Sequence, residues 1–218
     1  MSQPGYMLRT NQEFLNFMET YTANNPAVIQ KSFAPGTRLI RQGDIIKHVY
    51  IILDGITKCY IAEDNGKDYI FEFLGKGEIT GELEAINKGA CLCNIEAITP
   101  VQAYAIPHPR FTALVQNNPV FNQLLLQELA TRISQTCIRA SYQQLYPVEY
   151  ALLRLLTLEA DQHLLLAKRD MAAYLGISVR SFNRTLKELR ERNIMHTTGL
   201  HLDLTKQQLE NILKRFEE

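Results

Sequence analysis

The chain has no tryptophan, no apolar run approaching the roughly 18 residues a membrane span requires, and no net charge, its 23 Lys and Arg balancing 23 Asp and Glu. The first absence says little about function, the second excludes a membrane-spanning helix, and the third excludes a uniformly basic or acidic surface. Cysteine is scarce as well. Cys59, Cys91, Cys93 and Cys137 include one close pair, and none of them has the paired spacing of a zinc or iron–sulfur site. They read as reduced thiols, and no metal site is expected. The opening MSQPGYMLRT lacks the basic start and apolar block of a secretory signal, so a cytoplasmic protein without a membrane partner is expected. At 218 residues, 46% hydrophobic and 21% charged, the chain suits one large domain or two small ones.

Basic charge, balanced over the whole, is concentrated in one stretch. KRDMAAYLGISVRSFNRTLKELRER, Lys168 to Arg192, holds seven Lys and Arg against three acids, a net of +4. Met171, Ala172 and Leu175 recur at helical spacing, and after Gly176 so do Phe182, Leu186 and Leu189. The stretch therefore predicts two helices joined by a tight turn. Gly176 supplies the left-handed residue that ends the first, and Ser178 caps the second. With Phe182, Leu186 and Leu189 inward, the second helix presents Val179, Arg180, Asn183, Arg184, Lys187 and Arg190 to solvent, donors without nearby acceptors. Such a stripe suits a DNA major groove, where guanidinium and amide groups bond base edges and Lys, Arg and a helix N-terminus hold phosphates. A solvated helix corner carries similar charges, and the local excess is what favours double-stranded DNA as the partner.

Taken in order, the chain opens with a capping-box pattern, Thr10 with Glu13, leading a short helix through Phe14, Leu15, Phe17, Met18 and Tyr21 that ends before Asn24-Asn25-Pro26. From Val28 to Ala105, short runs rich in Ile, Val, Tyr and Phe are punctuated by glycines. Asp54-Gly55 and Asn65-Gly66 lie between HVYIIL, ITKCYIA and DYIFEFL, which predicts a meander of three strands within a β-sandwich or barrel. Pro109 and Pro119 each mark a helix start. The second helix extends to Pro147, and Phe121, Leu125, Leu129, Ile133, Thr136, Cys137 and Ala140 fall on one stripe. A helix of this length exceeds what a small barrel needs for cover, so its stripe is expected to pair with a second copy, and two-fold symmetry suits a helix-turn-helix reader. VEYALLRLLTLEA then forms a further helix, LLLAKRD leads into the basic stretch, and NIMHTTGLHLDLT predicts two short strands around Gly199, a wing. Thr205 with Gln208 caps the last helix.

An N-terminal β-barrel, a long helix and a winged helix-turn-helix, α+β in class, resemble the cyclic-AMP receptor protein and FNR family of bacterial transcription regulators. Two motifs carry the resemblance: GKGEITGELEAI, Gly75 to Ile86, similar to the glycine-framed start of the family's phosphate-binding cassette, and ISVRSFNRTLKEL, Ile177 to Leu189, similar to its recognition helix. Within the family, the Gly81-Glu82-Leu83-Glu84 version and the Tyr174-Leu175-Gly176 turn most resemble the YeiL-like group. The resemblance implies a cyclic-nucleotide-binding-like jelly roll over residues 1–108 as the effector-sensing domain, a helical hinge and dimerisation helix over 109–146, and a DNA-binding domain over 147–218.

It also implies roles for single residues. DNA contacts fall to Lys168, Arg169, Ser178, Val179, Arg180, Ser181, Asn183, Arg184 and Lys187. Glu82 matches the glutamate that bonds a cyclic nucleotide's ribose. The Arg-Ser or Arg-Thr pair that holds the cyclic phosphate falls at Cys91-Leu92, and no arginine occurs from Glu82 to Thr99. Without that fork a buried phosphate would go uncompensated, so cyclic AMP is not the expected effector. Glu82, Leu83, Cys91, Leu92, Cys93, Arg132, Thr136 and Cys137 are the effector-pocket candidates, and an Arg132–Glu82 pair is expected to fill the vacated space. Effector identity stays open between an unknown small molecule, a thiol signal at Cys91, Cys93 and Cys137, and none at all.

The functional expectation is a homodimeric, sequence-specific DNA-binding regulator that also contacts RNA polymerase. An alternative is a ligand-binding module, responding to an effector other than a cyclic nucleotide or to a thiol signal, whose winged helix contacts protein. No catalytic residues are expected, because neither Glu82 with His108 nor Cys91 has the base and orienting partner that a catalytic site needs.

Overall fold

In the computed structural model, which describes residues 7–23, 25–162, 166–200 and 202–217, the chain divides into two compact units, Leu8–Ser134 and a second built on Gln135–Glu218. Asn24, the Leu164 and Leu165 of LLLAKRD, and the His201 of the wing lie outside the described residues.

The first unit begins with strand β1 (Leu8–Arg9) and helix α1 (Gln12–Thr22). The helix is capped by Asn11, not by Thr10. Strand β1 lies parallel to β6 (Asp68–Leu74) through Leu8 and Arg9, and the Asn11 N–H then bonds the Lys76 carbonyl at 2.9 Å, so the turn into helix comes one residue later than the capping-box pattern places it. Asn11 Oδ1 accepts the Phe14 N–H at 3.0 Å.

The remaining strands are β2 (Ile29–Phe33), β3 (Arg38–Ile40), β4 (His48–Asp54), β5 (Thr57–Ala62), β7 (Ile79–Thr80), β8 (Asn94–Ala97) and β9 (Val101–Pro107). They form two sheets, ordered β1-β6-β5-β8-β3 and β2-β9-β4-β7, a jelly-roll-like arrangement. The expected three-strand meander is half right. β5 and β6 pair as an antiparallel hairpin through Asn65-Gly66, but β4 pairs with β7 and β9 in the other sheet. Asp54-Gly55 is therefore a corner where the chain changes sheets. Gly55 has φ +91°, and a Cβ there would lie 2.2 Å from the Pro100 carbonyl, so only glycine lets the strands cross this closely. Turn chemistry alone does not distinguish a hairpin from such a corner.

Ile51 and Ile52 of β4, Ala103 and Ala105 of β9, and Ile79 are fully buried, on the two faces of their sheet. α3 (His108–Asn117) and α4 (Pro119–Leu145) follow, and Asn118 caps the second through Phe121 N–H at 3.0 Å. Phe14, Phe111 and Phe121 meet edge to face at centroid distances of 5.6 and 5.9 Å, which seats α1, α3 and the start of α4 on the barrel. The apolar stripe foreseen on α4 thus divides. Phe121 and Leu125 are buried in the first unit, whereas Leu126, Ile133 and Cys137 are exposed, Ile133 to 65%.

In the second unit, α5 (Val148–Gln162), α6 (Lys168–Tyr174), α7 (Val179–Glu191) and α8 (Lys206–Glu217) bury Leu152, Leu153, Met171, Phe182, Leu186 and Leu189. The Thr205–Gln208 cap is reciprocal: Gln208 N–H reaches Thr205 Oγ1 at 3.3 Å and Thr205 N–H reaches Gln208 Oε1 at 2.8 Å. In place of two wing strands, the described residues show a single bridge, Met195 with Leu202. Among the described residues no helix is long and apolar enough to cross a membrane.

Candidate functional site

The basic stretch folds into the α6–turn–α7 pair that its spacing predicts. Gly176 takes φ +69°, and Ser178 Oγ accepts the Ser181 N–H at 3.1 Å, which starts α7. Lys168 and Arg169 are exposed at the start of α6, as are Ser178, Val179, Arg180, Asn183, Arg184 and Lys187 along α7, while Ser181 is half-buried. Acceptors do stand near some of these donors. Arg184 Nε lies 3.8 Å from Glu188 and Lys187 Nζ 3.6 Å from Glu191, both one helical turn on and both well exposed, where such pairs are worth only about 0.3–0.5 kcal/mol. Either cation can turn to a phosphate at little cost.

Two arginines of the basic stretch are engaged elsewhere. Arg190 donates to the carbonyls of His196 and Gly199, at 3.2 and 2.8 Å, and so fastens the wing to the end of α7. Arg192 makes a two-oxygen contact with Glu149 of α5 at 2.7 and 2.8 Å. The outward-facing cations of α7 are thereby narrowed to Arg180, Arg184 and Lys187, with Asn183 between them.

In the first unit the cassette helix α2 (Glu82–Asn87) starts at Gly81, whose φ is +86° and where a Cβ would press on Ile46 and Ile40 at 2.8 and 2.9 Å. His108 holds the other end, its Nε2 3.1 Å from the Ala85 carbonyl. Glu82 is buried and faces Arg132 of α4, with Nη1 to Oε1 at 2.6 Å. The expected pair belongs to a larger cluster. Arg132 also bonds Glu128 through Nε at 3.0 Å and Glu78 through Nη2 at 3.1 Å, and Glu72 lies 3.9 Å away. Arg9 of β1 joins from the other side, reaching Glu78, Glu72 and Glu128, and Asn11 Nδ2 donates to Glu128 at 2.7 Å.

Two guanidinium groups thus face four carboxylates away from bulk water, and the excess negative charge must be relieved. Burial pushes both Glu78 and Glu82 up to about 7, against the opposing pull of Arg132. Burial drives Glu128 the same way, but Arg132, Arg9 and Asn11 outweigh it and leave this carboxyl below its usual range. Burial works against the charge on Arg132, and the four surrounding carboxylates overcome it.

A cavity of about 40 Å³, room for roughly three waters, opens beside Arg132. Glu72, Glu82, Glu84, Thr80, Leu83, Leu92, Cys59 and Cys93 line it with Arg132. Of the other candidates, Cys91 is turned into the barrel core, and Thr136 and Cys137 are exposed on the part of α4 that belongs to the second unit. Sequence reasoning missed Arg9, Glu72, Glu78, Glu128 and Cys59. Only Glu128 carried a signal, four residues before Arg132 on one helix.

The family model for the cyclic nucleotide-binding domain matches residues 30–118. Among solved structures, the Xanthomonas campestris regulator CLP, described as c-di-GMP responsive, superposes with a TM-score of 0.76 at 20% identity, covering 86% of this chain and 97% of that one. A crp/fnr-family protein from Eubacterium rectale gives a TM-score of 0.77 at 15% identity, covering 94% and 100%. The cyclic AMP receptor protein of Thermus thermophilus is 23% identical over 170 residues, 76% of this chain and 79% of that protein. The cAMP-activated global transcriptional regulator CRP of Salmonella typhimurium is 24% identical over 172 residues, 74% and 82%. Residues 30–118 thus carry a cyclic nucleotide-binding domain, and over about three quarters of its length the chain is similar to cyclic AMP receptor proteins. Within the matched domain, Glu82 is faced by a guanidinium from Arg132 of α4.

Proposed function

We propose that the protein is a cytoplasmic, homodimeric, sequence-specific DNA-binding transcription regulator that works without cyclic AMP. The observation that carries the DNA reading is the exposed face of α7, with Arg180, Asn183, Arg184 and Lys187 on a capped helix whose other face is fully buried. Arg180 and Arg184 are the base-reading pair, Lys168, Arg169 and Lys187 hold phosphates, and the free N–H groups behind Ser178 add a further phosphate contact. The exposed Leu126, Ala130, Ile133, Cys137 and Ala140 alternate at spacings of four and three along α4, the pattern of a two-helix seam, and this seam joins two copies. Paired recognition helices then read half-sites about one DNA turn apart. RNA polymerase is the downstream partner, and the Gly81-Glu82-Leu83-Glu84 stretch favours the YeiL-like group.

On the sensing side, the argument rests on charge. A cyclic phosphate entering beside Glu82 would meet Glu72 and Glu84, and the one guanidinium at hand is already bonded to three carboxylates. Selection from random-sequence duplex, followed by anisotropy with and without cyclic AMP, tests the reading. A defined two-fold operator, bound with affinity that falls steeply between about 50 and 200 mM salt and does not respond to cyclic AMP, is expected. No enriched duplex, or binding that ignores salt, would overturn the DNA reading and favour a protein partner for the winged helix.

A further inference from the structure

Cys59 lies in the middle of β5, opposite Ile95 of β8. Cys93 lies just before β8, two residues ahead of Ile95. Both line the cavity beside Glu82 and Arg132. Cys93 is half-exposed, whereas Cys59 is buried. Of the other two thiols, neither the buried Cys91 nor the exposed Cys137 lines that cavity.

We propose that Cys59 and Cys93 form a reversible oxidation site, closed to a disulfide by small disulfides, and that closing it alters the cassette. The Cys93 thiolate attacks one sulfur of a small disulfide, and the other leaves as a thiolate that takes up the proton Cys93 released. Cys59 then gives up its proton and attacks the Cys93 sulfur of the mixed disulfide, expelling the second small thiol with that proton. Two protein thiols are oxidised by two electrons, and one small disulfide is reduced to two thiols. The order follows from access and basicity. The hydrogen bond to Cys93, and then burial, hold the Cys59 thiol protonated well above the ordinary range, so the half-exposed Cys93 reacts first.

A disulfide fixes its two Cα atoms within about 6.8 Å of each other, and the backbone left to adjust to that is the step at Leu92 and Cys93. On one side Cys91 is held by Asp44 and Gly43, both at 2.8 Å, and on the other the buried Asn94 accepts the Gln42 N–H at 3.1 Å. The Leu92 N–H in that mobile step donates to Glu84 at 2.9 Å, two residues from Glu82 on α2. Oxidation therefore pulls on the helix that presents Glu82 to Arg132, and its readout in DNA affinity rests on the regulator reading above.

The test uses the full-length protein, reduced and then exposed to excess oxidised glutathione, with free thiols capped and tryptic peptides mapped by mass. Trypsin leaves Cys59 in CYIAEDNGK, while Cys91 and Cys93 share one longer peptide, so the variant Cys91→Ala is needed alongside Cys93→Ser and Cys59→Ala. The expected result is a linked peptide pair in the wild type and Cys91→Ala that is lost in the other two, reversed by reduced glutathione. A link surviving in Cys93→Ser, one lost in Cys91→Ala, or no link at all overturns the site. Operator affinity of the oxidised protein should shift at least severalfold, with no shift in Cys93→Ser. A fully formed bridge with unchanged affinity overturns the coupling. Absence of duplex binding in both redox states sinks the regulator reading, and the coupling with it, and leaves the mapped bridge standing.

Discussion

Arg132 Nη1 lies 2.6 Å from Glu82 Oε1, so the cassette glutamate is already satisfied by a cation from the chain's own helix. That guanidinium also serves Glu128 and Glu78, and through it the helix α4 is joined to the barrel. Removing it leaves several carboxylates facing one another with Arg9 alone to balance them. Arg132→Ala should lower the unfolding free energy by about 3–5 kcal/mol, the usual consequence of stripping one partner from a buried ionic cluster. Glu82→Gln, which keeps size and removes charge, should cost far less. Urea unfolding of both variants checks this, and equal losses would be inconsistent with Arg132 as the centre of the cluster.

Cyclic AMP should leave the protein unchanged. At about 1 mM nucleotide, corresponding to binding of about −4 kcal/mol, neither the melting temperature nor the heat of mixing should respond. Saturable heat at micromolar concentrations would show that Arg132 yields its carboxylates to a phosphate.

The stability of the first unit should decline as pH rises from about 5 to about 7.5. Glu78 and Glu82 are raised to about 7 in the folded chain and sit near 4.3 when unfolded, so the folded state binds their protons more tightly in that window. Their unfavourable contribution is absent below the unfolded value and complete above about 7. Glu128, held below its usual range, acts oppositely and only at lower pH. Glu78→Gln should flatten the slope, and a parallel profile in that variant would contradict this account.

Arg180→Ala and Arg184→Ala should each weaken operator binding by about 1–3 kcal/mol and relax preference at one base position, as judged by repeating the duplex selection. Lys187→Ala should weaken all sequences alike and reduce the salt slope. Arg190→Ala should act through wing position, because its guanidinium is bonded to His196 and Gly199.

Sedimentation should show a dimer that Ile133→Asp dissociates. Ile133 is 65% exposed in the single chain, so the substitution disturbs no packing within it and has its effect only where a second copy covers that face. A variant that remains dimeric would move the interface elsewhere.

Much of this molecule could be read from residue order, and the parts that could not share a physical cause. Helix starts at Ser178, Pro119 and Thr205 follow from local chemistry, and the basic face of α7 follows from spacing within one helix. The exchange of sheets at Gly55 depends on the approach of Pro100, some forty-five residues away, and no local pattern encodes it. The charge cluster is similar. Arg9, Glu78 and Arg132 are far apart in sequence and meet only because β1 lies beside β6 and α4 returns across the barrel. Cys59 was passed over because in the sequence it is one apolar residue within a strand, and register alone brings it beside Cys93.

Asn11 uses every polar group it has: its N–H goes to Lys76, its backbone carbonyl to Leu15, its side-chain oxygen to Phe14 and its side-chain nitrogen to Glu128. Hydrolysis of that one amide to aspartate would preserve the shape and the helix cap, yet set a new anion against Glu128. Chemical ageing at a single position would thus reach the start of α1 and the ion balance beneath α4 together, with no change in the fold to announce it.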